Sequence, residues 1–310
     1  TLFSKWKIWM DQLRQMSIFA RVAETGSFSA AARALGVSNS VISKYISGLE
    51  EKLGVTLIQR NTRHLALTDI GRGYLDRCQR ILSDVEEADR AASNEHAEPQ
   101  GMLRVNAALS FGLRHLGPVI SQYAVARPEV TVDITLDDRP VDILEESYDL
   151  AIRVGELEDS SLIARRFASV RRVCAASPAY LDRNGVPQHP RDLENHNCLT
   201  YARGGWSEPW HVEGGDGPVM MEATGNIFSN NGDLLLASAV EGAGIISMPD
   251  FIVWEAIKEG RLVRVLKDYT FPEVGMYAIY PPTRHLSAKI RTFVDALVDH
   301  FSPEPYWLIR

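Results

Sequence analysis

Apolar residues between positions 11 and 25 fall at Leu13, Met16, Phe19, Ala20, Val22 and Ala23, the spacing of one buried helical face. Gly26 suits the end of that helix, and Ser27 suits the cap of a second one carrying Ala31, Ala32 and Leu35. Gly36 interrupts the pattern. Ser38 then opens a third helix whose apolar stripe runs through Val41, Ile42, Tyr45, Ile46, Leu49 and Leu53. Residues 55–60 and 64–67 read as two short strands, a hairpin turning around Asn61, Thr62 and Arg63. Thr68 suits the cap of a long helix over 69–93. In that helix Tyr74, Ile81 and Ala88 recur every seven residues, as do Cys78, Val85 and Ala92, with Leu75 and Leu82 beside them. The polar stretch 94–101, with Pro99 and Gly101, reads as a hinge.

From residue 102 the period changes. Segments 103–107, 130–136, 150–154, 172–176, 198–201 and 276–280 read as strands. Between and after them lie a helix through Leu116, Ile120 and Tyr123, a short helix over 141–146, one beginning near Asp233, and an amphipathic helix over 287–301. The alternation predicts an α/β body with a largely parallel sheet.

Composition agrees with this division. The 310 residues exceed one ordinary domain, and the 45% apolar share suits a globular chain. No stretch approaches the roughly 20 apolar residues of a spanning helix. The thiols Cys78, Cys174 and Cys198 are scattered and odd in number, which fits a reducing compartment and a cytoplasmic protein better than a disulfide scaffold. The net charge of −7 argues against nucleic acid until it is divided: residues 1–68 hold nine Lys/Arg against four Asp/Glu, the remainder 24 against 36. A basic head on an acidic body fits a DNA-binding module joined to a different one.

The second and third helices match a helix-turn-helix for physical reasons. Ala32 permits close helix approach, Gly36 permits a tight turn, and Ile42 faces the wedge between the helices. Asn39, Ser40, Ser43 and Lys44 then point outward, as hydrogen-bonding groups and a cation suited to a major groove. Ser38 and the adjoining helix terminus offer amides to a phosphate. Arg60 and Arg63 on the hairpin are placed to reach the backbone or minor groove. A plain three-helix bundle with a solvated polar face is the alternative.

The run from Phe19 through Ala23-Glu24-Thr25-Gly26-Ser27-Phe28-Ser29-Ala30-Ala31-Ala32 and Leu35-Gly36-Val37-Ser38 resembles the signature of the LysR-type transcriptional regulators. It continues through Val41-Ile42-Ser43, Leu49-Glu50-Glu51, Leu53-Gly54-Val55, Leu57-Ile58-Gln59-Arg60 and Leu67-Thr68-Asp69-Ile70-Gly71. Family members commonly carry Gln-Pro or Gln-Ser after the capping serine. This chain has Asn39-Ser40, which leaves the base read by Asn39 unassigned. The resemblance implies a winged helix-turn-helix over 10–68, a dimerisation helix over 69–93, a hinge over 94–101 and a two-lobed effector domain over 102–302, with residues 1–9 an extension upstream of Met10. The effector domain would be like a periplasmic binding protein, with lobe I over about 102–170 and 276–302 and lobe II over about 171–275.

The DNA-facing set is then Ser27, Ser29, Ser38, Asn39, Ser40, Ser43, Lys44, Arg60 and Arg63, and the dimer seam is Tyr74, Cys78, Ile81, Val85 and Ala88, with packing of that seam on its own chain as the alternative. Effectors in such sheets bind at strand ends between lobes, which selects Ser110, Arg153, Gly155, Tyr201, Arg203 and Asn230. Duller roles stand beside these: Ser110 and Asn230 as helix caps, and Arg153 in an ion pair with Asp149 or Glu156. The expected partners are palindromic double-stranded DNA, a small-molecule effector for which an anionic metabolite is one candidate, a second or further copies of the chain, and RNA polymerase as a further candidate. A nucleoid-associated location follows from the same reading.

No cofactor or metal is expected. Gly242-Ala-Gly244 lacks the third glycine of a dinucleotide loop, and His189 and His196 flank Pro190 in a loop pattern. Two alternatives remain open: a thiol-based redox regulator using Cys174 and Cys198, and a metabolic enzyme with an accessory basic domain.

Overall fold

The computed structural model describes residues 2–60, 65–93, 98–155, 157, 160–203, 206–207, 209–214, 217–282 and 286–308. The chain divides into two compact units, 1–97 and 98–310.

In the first unit, α1 (Leu2–Thr25), α2 (Phe28–Leu35) and α3 (Asn39–Leu53) are followed by β1 (Ile58–Arg60), β2 (Leu65–Leu67) and α4 (Asp69–Ser93). The local signals act at the expected places. The Ser27 hydroxyl accepts from Ala30 N, and Gly36 takes φ 66° so that its N–H and that of Val37 close the end of α2. Ala31, Ala32, Ile42, Ile46 and Leu49 are buried with Phe19 and Val22. Ser38 occupies the cap position of α3, but its hydroxyl makes no capping bond. β1 and β2 pair antiparallel as the wing. Glu50 ties α3 to the approach of that wing by accepting from Leu57 N and Ile58 N at 2.8 and 3.0 Å. The Thr68 hydroxyl accepts from Gly71 N at 2.8 Å and so caps α4.

The heptad seam of α4 needs correction. Cys78 is fully buried in the unit's own core, and Tyr74 lies 5.6 Å from the Phe19 ring, so these two seam positions are used within the chain. Ile81 and Val85, each 37% exposed, remain outward, and the Ala88 side chain lies outside the described residues.

The second unit begins with β3 (Gly101–Ala107) and a helix in three parts: α5 (Leu109–Phe111), a π turn (Gly112–Leu116) and α6 (Gly117–Ala126). It continues through β4 (Val130–Leu136), β5 (Leu150–Gly155), β6 (Ile163–Val170), β7 (Arg172–Ala176), α7 (Pro178–Asn184), β8 (Cys198–Arg203), β9 (Trp206–Ser207), β10 (Trp210–Gly214), β11 (Gly217–Met221) and β12 (Phe228–Ser229). The last elements are α8 (Gly232–Val240), β13 (Ile245–Pro249), α9 (Asp250–Lys258), β14 (Val263–Val265), β15 (Val274–Tyr280) and α10 (Ala288–Phe301). One sheet has the order β4-β3-β5-β15-β6 and the other β12-β8-β13-β7-β14. The chain therefore leaves the first sheet after β6 and re-enters it at β15.

One expectation is sharpened here and two change. The parallel run of each sheet is broken by one reversed strand, β15 between β5 and β6 in the first and β7 between β13 and β14 in the second. Residues 141–146 do not form a helix: a turn covers 143–147, in which Asp142 Oδ1 accepts from Leu144 N and Glu145 N, and Ser147 at φ 67° ends it. Strand β6 escaped the period-2 reading because its pairing with β15 shifts register at Met276/Tyr277, placing Phe167 and Ala168, adjacent in sequence, both in the buried interior.

After α10 the chain returns to the core. Trp307 is fully buried among Phe111, His115, Phe251 and Phe301, with the His115 ring 4.6 Å away. His115 Nε2–H donates to the Phe251 carbonyl at 2.8 Å and Nδ1 accepts from the Tyr306 hydroxyl at 2.6 Å, joining the π turn, α9 and the C-terminal tail.

Candidate nucleic-acid interface and effector site

The α2–turn–α3 arrangement leaves one polar surface. Ile42 and Ile46 turn α3 inward, and in consequence Ser38, Asn39, Ser40 and Lys44 are exposed and Ser43 half-buried. Ser27 is half-buried and committed to its cap, whereas Ser29, two positions on, is exposed. Asn39 Nδ2 donates to Ser29 Oγ at 2.9 Å, and the Ser38 and Ser40 hydroxyls share a hydrogen bond of 2.9 Å. Sequence reading put these side chains on one surface but did not foresee that they pair. On the wing, Arg63 and the Arg60 side chain lie outside the described residues.

In the second unit the expected site residues separate into groups. Ser110 follows β3 and is 5% exposed; its hydroxyl donates to Asp233 Oδ2 at 2.7 Å. Arg114, one turn further on, places Nε 2.7 Å from Asp233 Oδ1 and approaches Glu255 at 3.9 Å. Gly232 makes the approach possible, since a Cβ there would lie 2.7 Å from Ile252 Cδ1 and 3.3 Å from Ser110 Oγ. Asp233 stands in the first turn of α8, so a carboxylate of the second lobe is gripped by a hydroxyl and a guanidinium of the first. Asp233 and Arg114 were missed by the sequence reading. The four-residue spacing of Ser110 and Arg114 on one helix was the available signal.

Arg153 sits elsewhere. Its guanidinium donates to the Asn106 side-chain carbonyl and to the Ile152 carbonyl, while Asp149 is instead held by Arg104 N and Lys289 Nζ. Among the described residues Asn106 Nδ2 is buried without a partner. Gly155, at the end of the same strand, faces Gly275 of β15. Tyr201 pairs in register with Ser229, bringing it near the exposed Asn230; the cap of α8 is Asn231, which accepts from Leu234 N at 2.9 Å. The Arg203 side chain lies outside the described residues.

Two other buried groups have displaced acidities. Desolvation pushes the Asp250 carboxyl up to about 7, opposed by the backbone N–H donors around it and by Arg171. Desolvation lowers His115 to about 4, against its bond to the Phe251 carbonyl.

The model for the bacterial regulatory helix-turn-helix protein, lysR family, matches residues 13–72, and the model for the LysR substrate binding domain matches residues 96–302. The chain belongs to the LysR family of transcriptional regulators. This LysR-type regulator is 37% identical over 281 residues to an uncharacterised HTH-type transcriptional regulator of Haemophilus influenzae, covering 91% of this chain and 98% of the relative. It is 34% identical over 293 residues to the HTH-type transcriptional regulator CrgA of Neisseria meningitidis, covering 92% and 95%. The solved CrgA structure superposes with a TM-score of 0.62 at 33% identity over 93% of this chain and 98% of that one. Full-length AphB, the virulence activator of Vibrio cholerae, gives 0.60 at 26% identity over 93% and 98%. The relatives are regulators, so the metabolic-enzyme alternative is set aside for this LysR-type chain, which joins a DNA-binding helix-turn-helix to an effector-binding domain. The redox alternative meets a physical obstacle. Cys174 and Cys198 are buried, and burial pushes both thiols up to about 12, whereas a sensing cysteine needs an accessible thiolate.

Proposed function

We propose that this LysR-type regulator recognises double-stranded DNA through Ser29, Ser38, Asn39, Ser40, Ser43 and Lys44. Ser27 is the structural cap that sets the second helix, and Arg60 and Arg63 of the wing reach the backbone. Two copies joined along the outward face of α4 at Ile81 and Val85, singly or as a pair of dimers, present two such heads to palindromic half-sites. The regulator acts on the nucleoid in the cytoplasm, with RNA polymerase as its partner in transcription.

The effector is an anion that acts at the junction of the two lobes. One observation carries this reading: Ser110 and Arg114 already hold a carboxylate there, that of Asp233. A small carboxylate would find the same hydroxyl and guanidinium, and would bind by taking them from Asp233. Because Asp233 belongs to the other lobe, that exchange releases one inter-lobe tie and shifts the population of lobe arrangements. Arg153, Gly155, Tyr201, Arg203 and Asn230 would then serve the rest of the molecule rather than its charged end.

The test uses purified full-length protein on sheared genomic DNA. Bound fragments should share a palindromic element and lose binding steeply with salt. Small carboxylates suggested by the neighbouring genes should alter that binding in the wild type and lose their effect in Ser110→Ala and Arg114→Ala. An unchanged carboxylate response in both variants would overturn the site.

A further inference from the structure

The first two turns of the recognition helix offer several short polar groups, but they are not equivalent. The Ser38 and Ser40 hydroxyls share one hydrogen bond of 2.9 Å, which commits one of their two protons. Asn39 is the first residue of α3, where a recognition helix meets base edges, and Ser29 is the second residue of α2. The bond from Asn39 Nδ2 to Ser29 Oγ at 2.9 Å spans the turn at Gly36, and both side chains are exposed.

A primary amide carries one carbonyl acceptor and two N–H donors. The bond to Ser29 holds the amide in place across the turn; because the Ser29 hydroxyl can accept from the N–H or donate to the carbonyl, either orientation of the amide leaves an acceptor beside a free donor. The carbonyl and the second N–H remain. An acceptor beside a donor matches the major-groove edge of adenine, which offers N6–H as donor and N7 as acceptor. Guanine presents two acceptors there, and cytosine and thymine lack the adjacent pair. The neighbouring hydroxyls are single atoms that donate or accept, and offer no such adjacent pair.

We propose that Asn39, oriented by Ser29, specifies an adenine in each half-site of the operator. Ser29 is a positioning residue in this scheme and Asn39 the reader. The inference rests on the DNA-binding reading above and adds to it the identity of one base. A brace between two helices would be made by the same hydrogen bond, so the experiment must separate base choice from folding.

Full-length wild type, Asn39→Ala, Asn39→Asp, Ser29→Ala and Ser29→Thr are each taken through selection from a randomised DNA library, with thermal melting recorded for each. The wild type should enrich a palindromic motif with one adenine per half-site at a fixed place. Asn39→Ala should lose preference at that place alone, by roughly 5- to 150-fold, the range expected of a good bidentate contact. Asn39→Asp, an acceptor without a donor, should move the preference there toward cytosine. Ser29→Ala should weaken adenine preference several-fold at that place, and Ser29→Thr should restore it. If Asn39→Ala enriches the wild-type motif unchanged and only melts lower, Asn39 is a brace and the proposal is overturned while the DNA-binding reading stands. If the wild type enriches no motif, both fail together.

Discussion

The Ser110 hydroxyl donates to Asp233 across 123 positions of sequence at 2.7 Å, so a side chain of the first lobe holds one of the second. The bond is partly buried and its acceptor is shared with Arg114. Charge-assisted hydrogen bonds in such a setting contribute about 1.5–3 kcal/mol. A double-mutant cycle of Ser110→Ala and Asp233→Ala, followed by chemical denaturation, should therefore give a coupling of ~0.5–3 kcal/mol. Additive losses would mean that the two residues act separately.

The thiols should be inert in the native protein. Cys78, Cys174 and Cys198 are all buried, and desolvation pushes them up to about 11, 12 and 12. A thiol-titrating disulfide reagent at pH 8 should react with none of them until denaturant is added. Rapid reaction of Cys174 or Cys198 under native conditions would reopen the redox alternative.

Two buried groups make stability depend on pH in opposite senses. His115 titrates near 4 in the folded chain against an ordinary value of 6.5. Its contribution is complete above pH 6.5 and is lost as pH falls toward 4, by on the order of 3 kcal/mol at most. Asp250 titrates near 7 when folded against 3.8. It keeps its proton while the unfolded chain has already lost one, so stability falls as pH rises from about 4 to 7, by roughly 4 kcal/mol at most. Denaturation curves between pH 4 and 8 should show Asp250→Asn gaining on the wild type as pH rises. A constant difference between the two would show that Asp250 does not titrate in that window.

The C-terminal tail should be needed by the effector unit. Trp307 is fully buried within the ring cluster of Phe111, His115, Phe251 and Phe301. Replacing such a side chain by alanine leaves a cavity that costs about 3–5 kcal/mol. Trp307→Ala should lower the melting temperature of the second unit by many degrees. A change of only a degree or two would mean that the tail is dispensable.

Self-association should depend on the outward face of α4 and not on its inward one. Ile81 and Val85 are one turn apart and exposed. Light scattering should show Ile81→Glu/Val85→Glu shifting toward monomer with its helical content kept. An unchanged mass would place the contact elsewhere.

The sequence by itself determined what is local. The three-helix head, its stops at Gly26 and Gly36, the caps at Ser27 and Thr68 and the strands at 130–136 and 172–176 all appear where periodicity and capping chemistry put them. Each depends on residues within a few positions of one another, so a one-dimensional pattern suffices. The tertiary structure decided which partner each polar or apolar group takes. The heptad of α4 is equally compatible with a second chain and with the chain's own α1, and only packing sends Tyr74 and Cys78 inward. Strand β6 is bulged, so its direction and pairing appear only against β15. Ser110 could be read as a cap or an anion donor, and Asn39 as a reader with no set orientation. It took the fold to bring Asp233 to the one and Ser29 to the other, because contacts across a turn or between lobes depend on how surfaces meet and not on spacing along the chain.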